Sequence, residues 1–270
     1  MTLFTYLIHN QEKERLDYLR PILSSFSPSI PSVVEEIYFQ NLCKVNLVQL
    51  IQRKFSIQLM RIRWRHYFSA SRSEWNLRRL SEFIETLRVL ISFKVFRREK
   101  SRAAVEDVLT RKHFQAIERF CEIAKLGDFI LVVESDACIP SLAYLLKCID
   151  HVASHKQKNS LYLLTFPYSI SQIEIDPSRF KEEILGENKA LVYPMPFLNT
   201  SAAYLMTYEL ALKLLAEFKS STDQLFKPAD LLINHLFIDV WNESPSIETF
   251  IFVPSPIENG SLIGVYPSTI

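Results

Sequence analysis

The sequence predicts an α/β protein, a layered sheet with helices on its faces, and three observations carry that expectation. Short apolar or β-branched runs alternate with stretches whose apolar residues recur at helical spacing. The run Phe129-Ile-Leu-Val-Val is apolar at five consecutive positions and stops abruptly at Glu134-Ser135-Asp136. A strand with no alternation is buried on both faces, as in a parallel sheet covered by helices. Finally, only four of 270 residues are glycine, where an average composition holds roughly 7%. Loops of the GxxxxGK[ST] or GxGxxG kind need clustered glycines so that bare backbone can approach a phosphate, and this chain cannot build either.

Each element follows in turn. Residues 2–8 read as a first strand, and Leu16, Leu19 and Leu23 then mark a helix that Pro28 and Pro31 interrupt. Residues 33–39 read as a second strand, and 42–60 turn helix-like. Ser71 and Glu74 form a possible capping box ahead of an amphipathic helix over 77–96. A further helix opens near Ser101 and ends at Gly127, read as its C′ residue. After the apolar strand, 160–166, 190–193 and 248–253 are strands, while 208–218 and 229–239 are helices. No internal repeat or low-complexity stretch interrupts this order.

Hydrophobic residues make up 48% of the chain, enough to bury a sizeable core as one large domain or two small ones. The four cysteines (Cys43, Cys121, Cys138, Cys148) form no CxxC pair. They read as buried thiols of a reducing, cytoplasmic compartment. The N-terminus lacks the basic and apolar regions of a signal peptide, and no apolar stretch is long enough to span a bilayer.

The net charge of +1 hides an asymmetry. Positions 53–102 hold 14 Lys and Arg against four acids, a net +10, while the remaining 17 basic and 26 acidic residues sum to −9. Residues 42–100 therefore read as a basic helical insertion. In it Arg61, Arg63 and Arg65 interleave with Trp64, Tyr67 and Phe68, a composition suited to an anionic membrane surface, a phosphorylated acceptor or, as a weaker choice, nucleic acid. The plain alternative is a solvated basic face over helices packed on the domain.

Glu134 and Asp136 are two residues apart at a strand end and would share a face in extended geometry. Two carboxylates aimed into one cleft repel unless a cation lies between them, and a hard divalent ion is the usual resolution. The alternative is a pair of solvated acids.

The flanking motifs narrow the choice. Leu109-Thr-Arg-Lys-His-Phe-Gln-Ala116 precedes the acidic strand; Ala203-Tyr-Leu-Met-Thr207, Ala211-Leu-Lys-Leu-Leu215 and Lys227-Pro-Ala-Asp230 follow it. In this order they resemble the family 25 glycosyltransferases, the lipooligosaccharide and collagen galactosyltransferase group, over about residues 101–240. The resemblance implies a GT-A fold, a Rossmann-type mixed sheet flanked by helices, with a UDP-sugar donor and an Mn²⁺ or Mg²⁺ site. Glu134-Ser135-Asp136 stands where the family has three acids, so Ser135 is a departure. Carried over, Asp136 meets the metal and donor diphosphate, and Glu134 meets ribose or a metal-bound water. His113, with Lys112, falls in the donor site, and Arg15 stands at the spacing of an arginine that could reach the nucleotide phosphates.

Inverting transfer needs a general base on the acceptor hydroxyl. Asp230 is the candidate and Asp223 the reserve; the alternative for Asp230 is an acid stabilised by a helix N-terminus. Asn199, Thr200 and Ser201 form a polar run that could meet a sugar. No late residue is a convincing further metal ligand, although Glu258 and Asn259 lie in a polar turn before Gly260, and Gly260 with Gly264 marks a C-terminal segment that could close over the donor. The expected function is hexosyl transfer from a UDP-sugar to a cell-surface or lipid-linked glycan, with possible peripheral contact with the membrane. The rival is a non-catalytic module of the same shell that docks a partner through its basic helices.

Overall fold

The structure is a computed structural model that describes residues 1–26, 31–38, 42, 44–69, 84, 93–154, 159–166, 175–185, 188–198, 200–221 and 227–260. The capping box at Ser71 and Glu74, most of the helix over 77–96, and Cys43, Gly186, Asn199, Asp223 and Gly264 lie outside the described residues.

The α/β expectation holds. Among the described residues eight strands form one mixed sheet, β1 (Leu3–Ile8), β2 (Ser32–Ile37), β3 (Phe129–Glu134), β5 (Ser160–Leu163), β6 (Lys181–Leu185), β7 (Asn188–Tyr193), β8 (Ala203–Thr207) and β9 (Glu248–Val253), in the order β2-β1-β3-β8-β5-β9-β7-β6. β2, β1 and β3 are mutually parallel, β8 runs antiparallel between β3 and β5, and β5 is parallel to β9. A two-stranded ribbon pairs β4 (Ala137–Cys138) with β10 (Glu258–Asn259).

The helices divide between the two faces. α1 (Lys13–Ser24) and α4 (Leu142–Ser154) cover one face, where Leu16, Leu19, Leu145 and Ile149 meet Leu131, Val133, Leu205 and Phe250. On the other, α3 (Phe93–Ile123), α5 (Tyr208–Ser220) and α6 (Ala229–Glu243) pack on Phe4, Tyr6, Ile130, Val132 and Tyr204, and α2 (Leu47–Phe68) joins them. Residues of β3 thus alternate between two apolar layers, which is why the strand has no polar position until its end.

α3 explains the architecture best. At 31 residues it is about 47 Å long, longer than the sheet is deep. Glu106, Thr110, His113, Ile117 and Phe120 are buried and recur at i, i+4, i+7, i+11 and i+14 along one stripe. Ile117 and Phe120 pack over the middle of the sheet, Phe120 against Phe4 with centroids 5.4 Å apart. Glu106, Thr110 and His113 therefore lie toward the carboxyl edge of β1 and β3. Beyond that edge Ala103 and Ala104 pack with Val45 and Leu50 beside α2.

Several expectations are corrected. α3 starts at 93 rather than 101 and ends at Ile123, so Gly127 is not its C′ residue. Gly127 has φ +88° in a turn closed by Asp128 N–H donating to Lys125 O at 2.9 Å, a position where a side chain would be strained. The Asp128 carboxylate fixes that turn by accepting from Lys125 N–H and Thr2 N–H. The helix α4 and the strands β4, β6, β8 and β10 had not been expected. Cys148 is buried, but Cys121 and Cys138 are only half-buried; all three are free thiols. Among the described residues no helix is long and apolar enough to cross a membrane.

The described part of the basic insertion that forms α2 is packed on the rest of the structure. Phe68 is 0% exposed, stacks on Trp64 at 3.9 Å and on Tyr193 at 5.9 Å, and meets Phe197 edge-on. Tyr67 packs against Trp241 of α6. The reading of Trp64, Tyr67 and Phe68 as an exposed aromatic surface is corrected: they are the contact that seats α2. Many of the cations are likewise neutralised in place. Arg63 is paired with Asp239, Arg53 with Glu106, Lys54 with Glu99 at 2.7 Å, and Arg102 with Glu106 at 2.7 Å.

Phe68→Ala should therefore cost about 3–5 kcal/mol in chemical denaturation. Leu59→Ala, on the same helix but 66% exposed, should stay within about 0.5 kcal/mol of the parent.

Candidate active site

The carboxyl edge of β1 and β3 gathers most of the residues singled out in the sequence. β3 hands the chain over at Glu134, whose N–H donates to Ala202 O at 2.8 Å; Ser135 N–H then donates to Ile8 O at 2.8 Å. Ser135 and Asp136 are turn residues. The expectation that Glu134 and Asp136 share a strand face is thus corrected: the strand ends between them. Asp136 is half-buried, and its carbonyl accepts from Gly260 N–H at 2.7 Å. Glu258 to Gly260, the described start of the C-terminal segment, are therefore seated against the acidic turn by β4–β10 pairing.

Glu134 is the anchor. Its side chain is 15% exposed, and its Oε1 lies 3.0 Å from His113 Nε2. His113 Nδ1 lies 3.0 Å from the Tyr204 hydroxyl. Burial pushes the Glu134 carboxyl up, but the His113 hydrogen bond, the Ser201 hydroxyl and the nearby Lys112 ammonium together hold it below the usual carboxylate range. His113 is 0% exposed with both ring nitrogens engaged. The expectation that it touches the donor is revised: it supports Glu134 from behind.

Lys112 has the same kind of task. It is 1% exposed, and Nζ donates to His9 O at 2.7 Å and to Asn10 Oδ1. Burial pulls this ammonium below its ordinary value, partly offset by Glu12 and Glu134. It pins the turn after β1, where Gln11 adopts φ +66°, uncommon for a residue with a side chain. Glu12 Oε2 in that turn accepts from Asn10 N–H at 2.8 Å and from Ser135 Oγ at 3.2 Å. Ser135, where a third acid was expected, thus ties the acidic turn to the β1–α1 turn. Arg15 is buried at 6% exposure on α1, close enough to Glu12 to lower that carboxyl. It is no surface ion pair.

Asp230 arrives from the other side. It sits in the first turn of α6, after Pro228, with Oδ1 accepting Leu231 N–H at 2.8 Å. Thr110 Oγ1 donates to Lys227 O and so joins α3 to this segment. Burial raises the Asp230 carboxyl to about 6, and Glu134 and Glu106 push the same way, against the Leu231 N–H that the carboxylate accepts. A helix-start acid held only by the macrodipole would move down. Asp230 moves up, as a general base working near neutrality requires.

The motif segments Thr110–His113, Glu134–Asp136, Tyr204 and Lys227–Asp230, together with the polar residue Ser201, therefore converge on one edge. Among the described residues no group of three or more His, Cys, Asp or Glu side chains is placed to hold a metal ion. The donor chemistry still suits a hard cation: Asp136 and Glu134 are carboxylates, and Mg²⁺ commonly takes one or two of these and fills its shell with phosphate and water. Sequence reasoning missed Tyr204 as a hydrogen-bonding residue and Glu12 altogether. Tyr204 stood within a quoted motif; Glu12 had no signal beyond its place after the first strand. No family model matches the chain, and no curated protein matches it significantly.

The raised Asp230 carboxyl has a stability signature. It is neutral in both folded and unfolded chains below its unfolded value of 3.8 and ionised in both above about 6, so the folded state binds the extra proton between these limits and loses stability as pH rises through them. Asp230→Asn should match the parent near pH 4 and exceed it above pH 6 by about 1–2 kcal/mol, allowing for partial exposure. Thermal melts across that range provide the check.

Proposed function

We propose that the chain is a GT-A-type glycosyltransferase that moves a hexose, galactose or glucose, from a UDP-sugar to a hydroxyl of a cell-surface or lipid-linked glycan. The single observation that carries this reading is the convergence of four of the glycosyltransferase-like segments, Thr110–His113, Glu134–Asp136, Tyr204 and Lys227–Asp230, at the carboxyl edge of the sheet, while Ala211–Leu215 packs in the core. In open α/β sheets ligands bind at that edge. The two carboxylates most involved are also held in opposite electrostatic states, one compensated and one raised, which is how a site divides binding from acid–base work.

In this reading Asp230 takes the proton of the acceptor hydroxyl. The acceptor oxygen then forms its bond to the anomeric carbon as the bond to the UDP oxygen breaks, and the proton remains on Asp230 until it passes to water. Glu134, kept anionic by His113, Ser201 and Lys112, holds the donor ribose or a metal-bound water. A divalent cation on Asp136, with Glu134 beside it, would neutralise charge on the departing diphosphate. Arg15 and Glu12 shape the turn that flanks the nucleotide.

Support for a membrane-side acceptor is limited to Arg61, the exposed cation of α2. The buried aromatics weigh against a role for α2 as a nucleic-acid stacking surface.

A panel of nucleotide sugars assayed with and without Mn²⁺ should show hydrolysis or transfer with a UDP-hexose. Asp136→Asn should abolish it. Asp230→Asn should lower kcat about 10²–10⁴-fold, and parent activity should fall below about pH 6 as the base protonates. No turnover with any donor, together with no shift in Tm from millimolar UDP and Mn²⁺, would overturn the assignment.

A further inference from the structure

We propose that Tyr204 is a positioning residue: its hydroxyl donates to His113 Nδ1, fixing the imidazole as the Nε2–H form that donates to Glu134, so that the carboxylate meets its ligand in one orientation.

Tyr204 is 0% exposed on the central strand β8, and among the described residues its hydroxyl has one hydrogen-bonding neighbour, His113 Nδ1 at 3.0 Å. A buried O–H without an acceptor is costly, so the hydroxyl must give its hydrogen to Nδ1. Nδ1 is then an acceptor, and the ring proton belongs on Nε2, which points at Glu134 Oε1 from 3.0 Å. A carboxylate can only accept there. Both ends of the ring therefore demand the same form. The rings of Tyr204 and His113 stack with a 22° interplanar angle, which opposes a ring flip.

Without the hydroxyl the choice disappears. Among the described residues no other hydrogen-bond partner faces Nδ1, so the ring could carry its proton on either nitrogen, and in the Nδ1–H form Glu134 would face a lone pair and turn away. Lys112 on α3 and Ser201 before β8 would still attract the carboxylate, but from other directions. Glu134 would then stay in the site with its orientation lost. The expected consequence falls first on ligand binding: the base Asp230 stands on α6 and, among the described residues, shares no hydrogen bond with Tyr204.

The consequence for donor binding rests on the glycosyl-transfer reading; the hydrogen-bond direction does not. The test therefore has two arms. In full-length protein labelled with ¹⁵N-histidine, long-range ¹H–¹⁵N spectra at neutral pH should show His113, identified by its loss in His113→Gln, as a single neutral Nε2–H form. Tyr204→Phe should convert it to a mixture of the two neutral forms and raise the UDP-sugar KM by about 10-fold or more, with a smaller change in kcat. An Nδ1–H or doubly protonated His113 in the parent protein overturns the proposal, as does a Tyr204→Phe spectrum identical to the parent's. Should Tyr204→Phe fail to fold, the parent spectrum alone decides. Should the spectra behave as expected while no sugar nucleotide is turned over, the positioning role stands and the glycosyl-transfer reading falls.

Discussion

The hydrogen bond between His113 and Glu134 is the constraint around which this molecule is organised. A carboxylate at the end of an all-apolar strand has left water on nearly every side, and a buried charge survives only when donors replace the lost hydration. The donors here come from α3 and from the loop before β8. For α3 to deliver them it must lie across β1 and β3 with its polar half at the carboxyl edge and its apolar half over the sheet. That placement in turn carries Thr110 to the Lys227 carbonyl and Lys112 to the turn after β1. One compensated carboxylate thereby fixes the position of a helix, two turns and the start of α6.

The same edge holds a second carboxylate in the opposite condition. Asp230 has burial and two neighbouring acids acting on it, with the Leu231 N–H opposing them. Its energetic cost to the fold and its suitability as a base are one property seen from two sides. The α2 region supplies an instructive contrast. Its charge surplus looked like an interaction surface, yet Arg53, Lys54, Arg63 and Arg102 pair with Glu99, Glu106 and Asp239. Formal charge along a segment says little about its potential once long-range partners are in place.

Much of the fold was legible because its strongest signals are local. The unbroken apolar run of β3, the Leu16–Leu19–Leu23 spacing of α1 and the Phe250–Ile251–Phe252 core of β9 need no distant information. β8 was read as a motif rather than a strand because Tyr-Leu-Met fits either period. β6 carries Lys, Glu and Glu at an exposed sheet edge and has no apolar pattern to find. α3 began eight residues early because Arg97, Arg98, Glu99 and Lys100 suit a helix as well as a linker, and α2 decides between them. Gly127 was assigned to a cap on spacing alone, whereas the turn that needs it is set by Asp128 reaching back to Thr2, 126 residues away.

The candidate site divides the same way. By itself the sequence determined which residue types are present and that an acidic pair ends a buried strand, because composition and periodicity are written in consecutive positions. Only the tertiary structure decided that His113 and Lys112 serve as buried supports, that Ser135 reaches Glu12, that Asp230 is raised and that Tyr204 faces Nδ1. Each of these depends on which groups meet across elements distant in the chain. Hydrogen bonding and desolvation act over a few ångströms of space, and only folding converts separation in sequence into that distance.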